Sequence, residues 1–310
     1  MWFIGFSIGI DISIHINRWL KFDDKAPVTL RLAMAKTNHN SQEYLLSSQY
    51  KSADNLKARI ALYENYGKNK VDFHDWFFNH IDVANKSKVL ELGSGSARIW
   101  QKNKDRIPQF WDITLSDFSE GMLAETKKNV EMIEHDFDFL QIDIQNIPFE
   151  EGSFDMVMAN HMLYHVPNLE KALMEVKRVL KDGGKFYAAL NGVEHMLELK
   201  QLIKKISALY PPNIIMDLNN ISITLESGAT MFGKYFNKVE IIRFDSEIVV
   251  DKAEPIMAYI MSLTALQELE NMIKKEELED LLEQTLNLIK AELSDKSFRI
   301  RTNSGLLIAG

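Results

Sequence analysis

The chain of 310 residues contains no cysteine. Disulfides and thiolate metal sites are therefore excluded, and so is any mechanism that needs a cysteine nucleophile. Positive charge is in deficit: 36 Lys and Arg stand against 44 Asp and Glu, a formal net charge of −8. A dedicated DNA or RNA binder normally carries a basic footprint. The only basic pairs of note, Lys204-Lys205 and Lys274-Lys275, read as solvated helix faces, so no nucleic-acid partner is expected. No apolar run reaches the roughly 18–20 residues of a spanning helix, and no membrane partner is expected. Met1 to Ile10 is apolar but lacks a basic start and a small-residue cleavage site, so it is not read as a signal peptide. There is no G-K-[ST] phosphate loop, no internal repeat and no low-complexity linker. A cytoplasmic protein is expected, and nothing points to an oligomeric state. The length and a 46% hydrophobic content suit one elaborated α/β domain or one domain with appendages.

What is present centres on residues 86–100, KSKVLELGSGSARIW. Val89, Leu90 and Leu92 make an apolar run, Glu91 interrupts it, and Gly93-Ser94-Gly95 follows. This reads as a buried strand, a tight glycine turn and a helix start. Two glycines at i and i+2 let the backbone turn sharply and let a ligand approach it, and the helix start offers free N–H groups. A nucleotide-like cofactor fits. The dinucleotide fingerprint G-x-G-x-x-G/A fails, because Arg98 stands where its last small residue belongs.

Four further strands follow: Ile113–Asp117, Phe139–Asp143, Phe154–Asn160 and, after an amphipathic helix from Leu169 to Leu180 and a KDGG turn, Lys185–Leu190. Asp117 ends the second strand about 20 residues beyond the glycines, where a carboxylate can accept ribose hydroxyls. The acidic-x-Gly-x-Gly pattern, the DFSEGML and KDGGKF segments and this spacing resemble class I S-adenosylmethionine (SAM) methyltransferases. The likeness is to the small-molecule type related to the ubiquinone and menaquinone methyltransferase group. It covers roughly Gln49 to the C-terminus, most sharply Lys88 to Leu190. The family usually has a third glycine where this chain has Ala97.

The resemblance implies a Rossmann-like seven-stranded sheet of order 3-2-1-4-5-7-6 with the last strand antiparallel, N-terminal helices and helical insertions. It implies SAM as cofactor, with ligands at the C-terminal ends of strands 1 to 4. Gly93, Ser94 and Gly95 would lie against the methionine portion, and Glu91 would hold the loop and reach the ammonium directly or through water. Asp117 would accept the ribose hydroxyls, Phe118 and Met122 would wall the adenine, and Asp143 would accept its amino group. The Ile144 amide would meet a ring nitrogen, and Asn160 would close the base of the pocket. Tyr50 would face the sulfonium and Arg59 the carboxylate; the alternative is a core aromatic and a surface charge.

After strand 4 the Asx/Ser-Pro-Pro-aromatic sequence of enzymes that methylate exocyclic base nitrogens is missing. The lack of cysteine excludes C5-pyrimidine methylation in the same way. His161 and His165 stand four apart, on one face if helical. Zinc ligation would need the absent glutamate of H-E-x-x-H and a third ligand. The resemblance sets the segment beside the acceptor pocket, where one histidine would be a general base; alternatively both only shape the pocket.

The domain expectation is a leader over 1–42 and a methyltransferase domain over 43–310. The latter divides into a helical cover (43–85), a SAM-binding core (86–192) and a lid with the C-terminal strands (193–310). The functional chain is expected to begin near Met34. Helices are expected over 43–66, 71–81, 192–209 and 252–293, an irregular stretch over 213–237, and strands over 239–250 and 298–309, the last kinked or bulged at Asn303-Ser304-Gly305. The expected activity is methyl transfer to a small-molecule acceptor. The rivals are an RNA or protein methyltransferase, a non-catalytic SAM-binding module, and a nucleotide-sugar or NAD oxidoreductase.

Overall fold

The computed structural model describes residues 53–210, 222–263, 269, 273–293 and 296–310, and of residues 53–58 the backbone alone. The leader over 1–42, the start at Met34, the first part of the 43–66 helix and Tyr50 lie outside the described residues.

Seven strands form one sheet: β1 (Lys88–Leu92), β2 (Asp112–Asp117), β3 (Phe137–Gln141), β4 (Phe154–Asn160), β5 (Leu180–Asn191), β6 (Val239–Val250) and β7 (Phe298–Ala309). Their order is β3-β2-β1-β4-β5-β7-β6. The pairs β1–β2, β1–β4, β2–β3 and β4–β5 are parallel, and β7 runs antiparallel to both neighbours. This is the order the resemblance implied. The described helices are α1 (Ala53–Tyr66), α2 (Phe73–Asn79), α3 (Arg98–Lys102), α4 (Glu120–Val130), α5 (Leu169–Val179), α6 (Leu197–Ser207), α7 (Leu225–Phe232), α8 (Ala253–Met261) and α9 (Lys275–Leu293).

The period of two along each strand sorts side chains into two layers. Leu90, Leu92, Val157, Ala159, Phe186, Ala188, Leu190 and Leu307 join one buried cluster, which α5 and α7 cover. Val89, Met156, Met158, Tyr187, Ala189 and Leu306 face the other way, onto Phe77 of α2 and Ile99 and Trp100 of α3. Glu91 shares the phase of Val89, so the strand delivers its carboxylate to the α3 side. Helix starts are fixed locally: Ser119 accepts from the Met122 amide and Asn168 from the Lys171 amide.

A third cluster stands apart from these layers. The twelve-residue strands β6 and β7 pair along their whole length, but β5 pairs only with Ser304–Ala309 of β7. The remainder of this strand pair extends beyond β5, and its Ile248, Val250 and Ile300 pack with Leu62 of α1, Leu199 and Ile203 of α6, Ile256 and Ile260 of α8, and Ile289 of α9. These four helices form a cap with its own core.

Several expected boundaries are corrected. β3 begins and ends two residues early, which leaves Asp143 in a turn beyond the strand. The KDGG segment is a bulge within β5: Phe154 pairs with Leu180 but Met156 with Lys185, and Gly183 takes φ +76°. The helix expected from residue 192 starts at Leu197, after turns at 193–196. The stretch expected to be irregular contains α7, whose Thr224–Ser227 capping box fixes its start and whose Leu225 and Phe232 are fully buried. The long 252–293 helix is divided, since α8 ends at Met261 and α9 begins at Lys275. Asn303-Ser304-Gly305 is no bulge; the β6–β7 register runs through it unbroken. Gly305 is needed there because a Cβ would run into the Ile242 carbonyl oxygen and Leu225.

Candidate active site

The glycine turn sits at the C-terminal end of β1. Gly93 (φ +71°) and Gly95 (φ +54°) both take left-handed backbone. A Cβ on Gly93 would lie 2.9 Å from Met162 Cβ, so the turn and the segment after β4 touch there. The turn is pinned by side chains. The Ser94 amide donates to Ser116 O (2.8 Å), Thr126 Oγ1 donates to Gly95 O (2.6 Å), and the Ser94 and Thr126 hydroxyls meet at 2.9 Å. Ala97, at the cap of α3, also takes φ +56°. A left-handed residue with a Cβ costs about 1–2 kcal/mol, which is the physical reason glycine suits this position.

Glu91 is 1% exposed. Trp100 Nε1 donates to its Oε2 at 2.5 Å, and Asn160 Nδ2 donates to its Oε1 at 2.8 Å. Burial pushes its carboxyl up to about 7, against the lowering effect of these two donors. Both oxygens are thus engaged. Asn160 Oδ1 is buried and, among the described residues, accepts no hydrogen bond. A buried acceptor left this way costs about 1–3 kcal/mol until a donor arrives. Trp100 was not singled out in the sequence; its cue was a large aromatic nine residues past the acid, on the first helix.

Asp117 closes β2. Its Oδ2 accepts from the Gly95 amide (3.0 Å) and its Oδ1 from the Ser119 amide (2.9 Å), which ties the second acid to the glycine turn. Burial raises its pKa, and these amides oppose the shift. Phe118 follows it, and Met122 is 8% exposed on α4. Asp143 Oδ1 accepts from the Gln145 amide (2.9 Å), and the Gln145 side chain bonds both its oxygens. Ile144 is buried beside it. Arg59 Nε and Nη2 donate to Ser262 Oγ (3.1 Å) and O (2.9 Å) at the end of α8. That places it in the cap.

His161 and His165 do not share a helical face. His161 takes φ +50° and only Leu163–His165 make one 3-10 turn. The left-handed residue breaks the helix, so the i, i+4 argument fails. The His161 amide donates to Ala189 O, and its ring packs on Phe73 at 5.1 Å. Burial holds both imidazoles down to about 4, so both are neutral at physiological pH.

Residues 90–188 match the family described as Methyltransferase domain. The Ubiquinone/menaquinone biosynthesis C-methyltransferase UbiE of Rickettsia bellii is 27% identical over 192 residues, 60% of this chain and 75% of the relative. Its Rickettsia rickettsii counterpart is 31% identical over 153 residues, 47% of this chain and 59% of the relative. Among solved structures, the fold is similar to the Haemonchus contortus phosphoethanolamine N-methyltransferase 2 in complex with SAM (TM-score 0.52, 17% identity, 86% of this chain and 59% of that one). It is also similar to a candidate methyltransferase of Bacillus halodurans (TM-score 0.51, 15% identity, 76% of this chain and 97% of that one). Residues 90–188 form a SAM-dependent methyltransferase domain on a class I fold.

The residues of the methyltransferase fit its cofactor. Two left-handed glycines leave the backbone bare, and a buried orphan acceptor on Asn160 awaits a donor. SAM supplies an electrophilic sulfonium methyl, and the protein supplies alignment.

The methyltransferase also carries a polar cluster between cap and sheet that the sequence did not disclose. His195, in the turn after β5, is 7% exposed. Its Nε2 meets the Tyr63 hydroxyl of α1 at 3.0 Å, and its Nδ1 lies 2.9 Å from Asn303 O of β7. Met196, at φ +57°, sets its Sδ 3.1 Å from the same hydroxyl, and Tyr259 of α8 approaches that sulfur from 3.6 Å. Burial raises the Tyr63 pKa; Tyr259 and Tyr164 raise it further and Arg59 lowers it. Burial holds His195 down to about 3, with His161 adding to the effect. Two imidazoles, three phenols, the Arg59 guanidinium and the Lys200 ammonium therefore act on one another here, and no carboxylate is among the groups that shift Tyr63 or His195. A lone histidine and scattered tyrosines have no spacing that predicts this.

Among the described residues no helix is long and apolar enough to cross a membrane.

Proposed function

We propose that the methyltransferase acts on a small, hydroxyl-bearing acceptor held between the end of β4 and the helical cap. The cap is the observation that carries this reading. Its four helices pack their own core with the outer parts of β6 and β7, and Tyr63 of α1 meets His195 in the turn after β5. The polar groups that meet there are phenols and neutral imidazoles, with Arg59 and Lys200 as the cations. Such a lining suits a neutral or anionic hydroxyl compound; an amine acceptor would call for a carboxylate. The name of the rickettsial relatives, C-methyltransferases of ubiquinone and menaquinone biosynthesis, also favours a small-molecule acceptor over RNA or protein.

In this reading the backbone of Gly93, Ser94 and Gly95 bears the methionine portion of SAM. Asn160 Oδ1 receives the ammonium while Glu91 fixes the amide from behind. Asp117 takes the ribose hydroxyls with the lone pairs its two amide donors leave, Phe118 and Met122 flank the adenine, and Asp143 with the Ile144 amide reads its edge. His165 and His161 border the acceptor as neutral groups.

The test is methyl-labelled SAM incubated with the protein and three separate acceptor pools: small hydroxyaromatics led by 1,4-dihydroxynaphthalene, small amines, and a mixture of RNA and protein. Label in the hydroxyaromatic pool is expected. Label only in the amines, or only in the macromolecules, would overturn the reading.

A further inference from the structure

We infer that Tyr63 and His195 form the proton-accepting pair of the acceptor site, with Tyr63 touching the acceptor and His195 acting through it. The inference rests on the acceptor reading above.

The hydrogen bonds fix the direction of the pair. The Ser304 hydroxyl donates to Asn191 Oδ1 (2.9 Å), so its proton is not available to His195. The shortest contact of His195 Nδ1 is the Asn303 carbonyl at 2.9 Å, and the Asn303 amide is farther at 3.2 Å. A ring nitrogen facing a carbonyl oxygen carries the hydrogen. His195 is then the Nδ1–H tautomer, and its Nε2 offers a lone pair to the Tyr63 hydroxyl. The Tyr63 hydroxyl has two acceptors in reach, Met196 Sδ at 3.1 Å and His195 Nε2 at 3.0 Å; the imidazole nitrogen is the stronger acceptor, and with its proton directed there the Tyr63 oxygen keeps its own lone pairs for an incoming hydroxyl. The geometry has the form of a hydroxyl, a base and a third group that orients the base. The orienting group here is backbone of β7, which is why the sequence could not show it.

The place is right as well. Tyr63 keeps 37% of its surface exposed although its hydroxyl end is buried. The segment 160–165 joins the two sites. It starts at the Asn160 amide of the cofactor site, has Met162 against the glycine turn, and brings Tyr164 within electrostatic reach of Tyr63 and His161 within reach of His195.

The proton balance follows. As the S–CH3 bond breaks and the methyl bonds to the acceptor, at the hydroxyl oxygen or at the ring carbon it activates, the O–H bond breaks and that proton passes to Tyr63 Oη; at carbon, the ring C–H proton then returns to the oxygen. The proton already on Tyr63 moves to His195 Nε2. The positive charge that leaves the sulfonium reappears on the imidazolium, so the buried site holds one positive charge before and after. The burial that makes His195 a weak base in the free protein therefore penalises both states of the reaction.

Two readouts test the pair. The first needs no turnover: 15N spectroscopy of the histidine side chains in the SAM-bound protein. His195 is expected as the Nδ1–H tautomer, with an Nε2 shift that moves in Tyr63→Phe. An Nε2–H tautomer would overturn the inference whatever the activity. The second follows S-adenosylhomocysteine release with 1,4-dihydroxynaphthalene. Tyr63→Phe and His195→Gln are each expected to lower kcat by about 10²–10⁴-fold, with the KM for SAM and calorimetric SAM binding unchanged. Unchanged binding shows that the variants fold. Unchanged kcat in both variants would sink the pair alone and leave the acceptor reading standing. No release from the wild-type protein would overturn the acceptor reading and the pair's role with it.

Discussion

The cofactor end of the sheet and the cap beside it hold their polar groups by opposite means. At the cofactor end the partners are near in sequence: Gly95 and Asp117 are 22 residues apart, Trp100 and Glu91 nine. In the cap, Tyr63 and His195 are 132 apart, and Arg59 and Ser262 are 203 apart. The first site is made by one βαβ passage, which only a glycine turn and two strand-end acids can complete. The second is made where four helices and the paired strands β6 and β7 converge, and many sequences could supply it. The first arrangement is therefore stereotyped and the second, the proposed acceptor site, individual.

The sharpest break of the comparison is Asp117→Ala. It removes a carboxylate that holds the glycine turn and is proposed to accept the ribose, so SAM affinity should fall by about 100-fold or more, at about 1.5–3 kcal/mol per charged hydrogen bond. Calorimetric titration checks it, and retention of affinity would remove Asp117 from the site. Trp100→Phe comes next. It leaves Glu91 Oε2 buried without its donor and should cost about 1–3 kcal/mol of stability, read as a lowered urea midpoint. An unchanged midpoint would mean the Glu91 network carries no load.

The pH dependence of SAM binding is a smaller effect. Ionised Glu91 draws the Asn160 NH2 to itself and turns Oδ1 toward the ammonium; protonated Glu91 removes that preference. Its pKa of about 7 comes first from burial. SAM affinity should therefore rise with pH through about 7, by about tenfold from pH 6 to pH 8, and Glu91→Gln should flatten the profile. In the SAM-free protein the sign is opposite. A carboxyl raised above its unfolded value costs stability as pH climbs from the ordinary carboxylate range to about 7. The smallest effect sharpens the boundary between the two regions. Arg59 bonds Ser262 in the cap, so Arg59→Ala should change the SAM Kd by less than about threefold. A loss of tenfold or more would return Arg59 to the cofactor carboxylate.

Legibility followed the same division. β4, β6 and β7 carry the expected bounds; β6 is the strand whose loose alternation of partly buried and exposed residues showed its period directly. β3 was set two residues late because Asp143 looks like a strand end, although its carboxylate instead closes a turn with Gln145. The α7 helix was missed because its buried face is short and its start depends on a Thr224–Ser227 capping box rather than on apolar period. Gly305 looked like a bulge, and only the neighbouring strand shows that it is a close approach.

By itself the sequence determined the early strands, the glycine turn and the acids near it, because period, glycine conformation and short chain separations are local; the sheet order and the cofactor came from its resemblance to a family. Only the tertiary structure decided that Glu91 backs Asn160 instead of pointing outward, that His161 and His165 part company, and that His195 meets Tyr63. Each depends on which distant side chain fills the other half of a hydrogen bond, and the chain's own neighbours do not specify that.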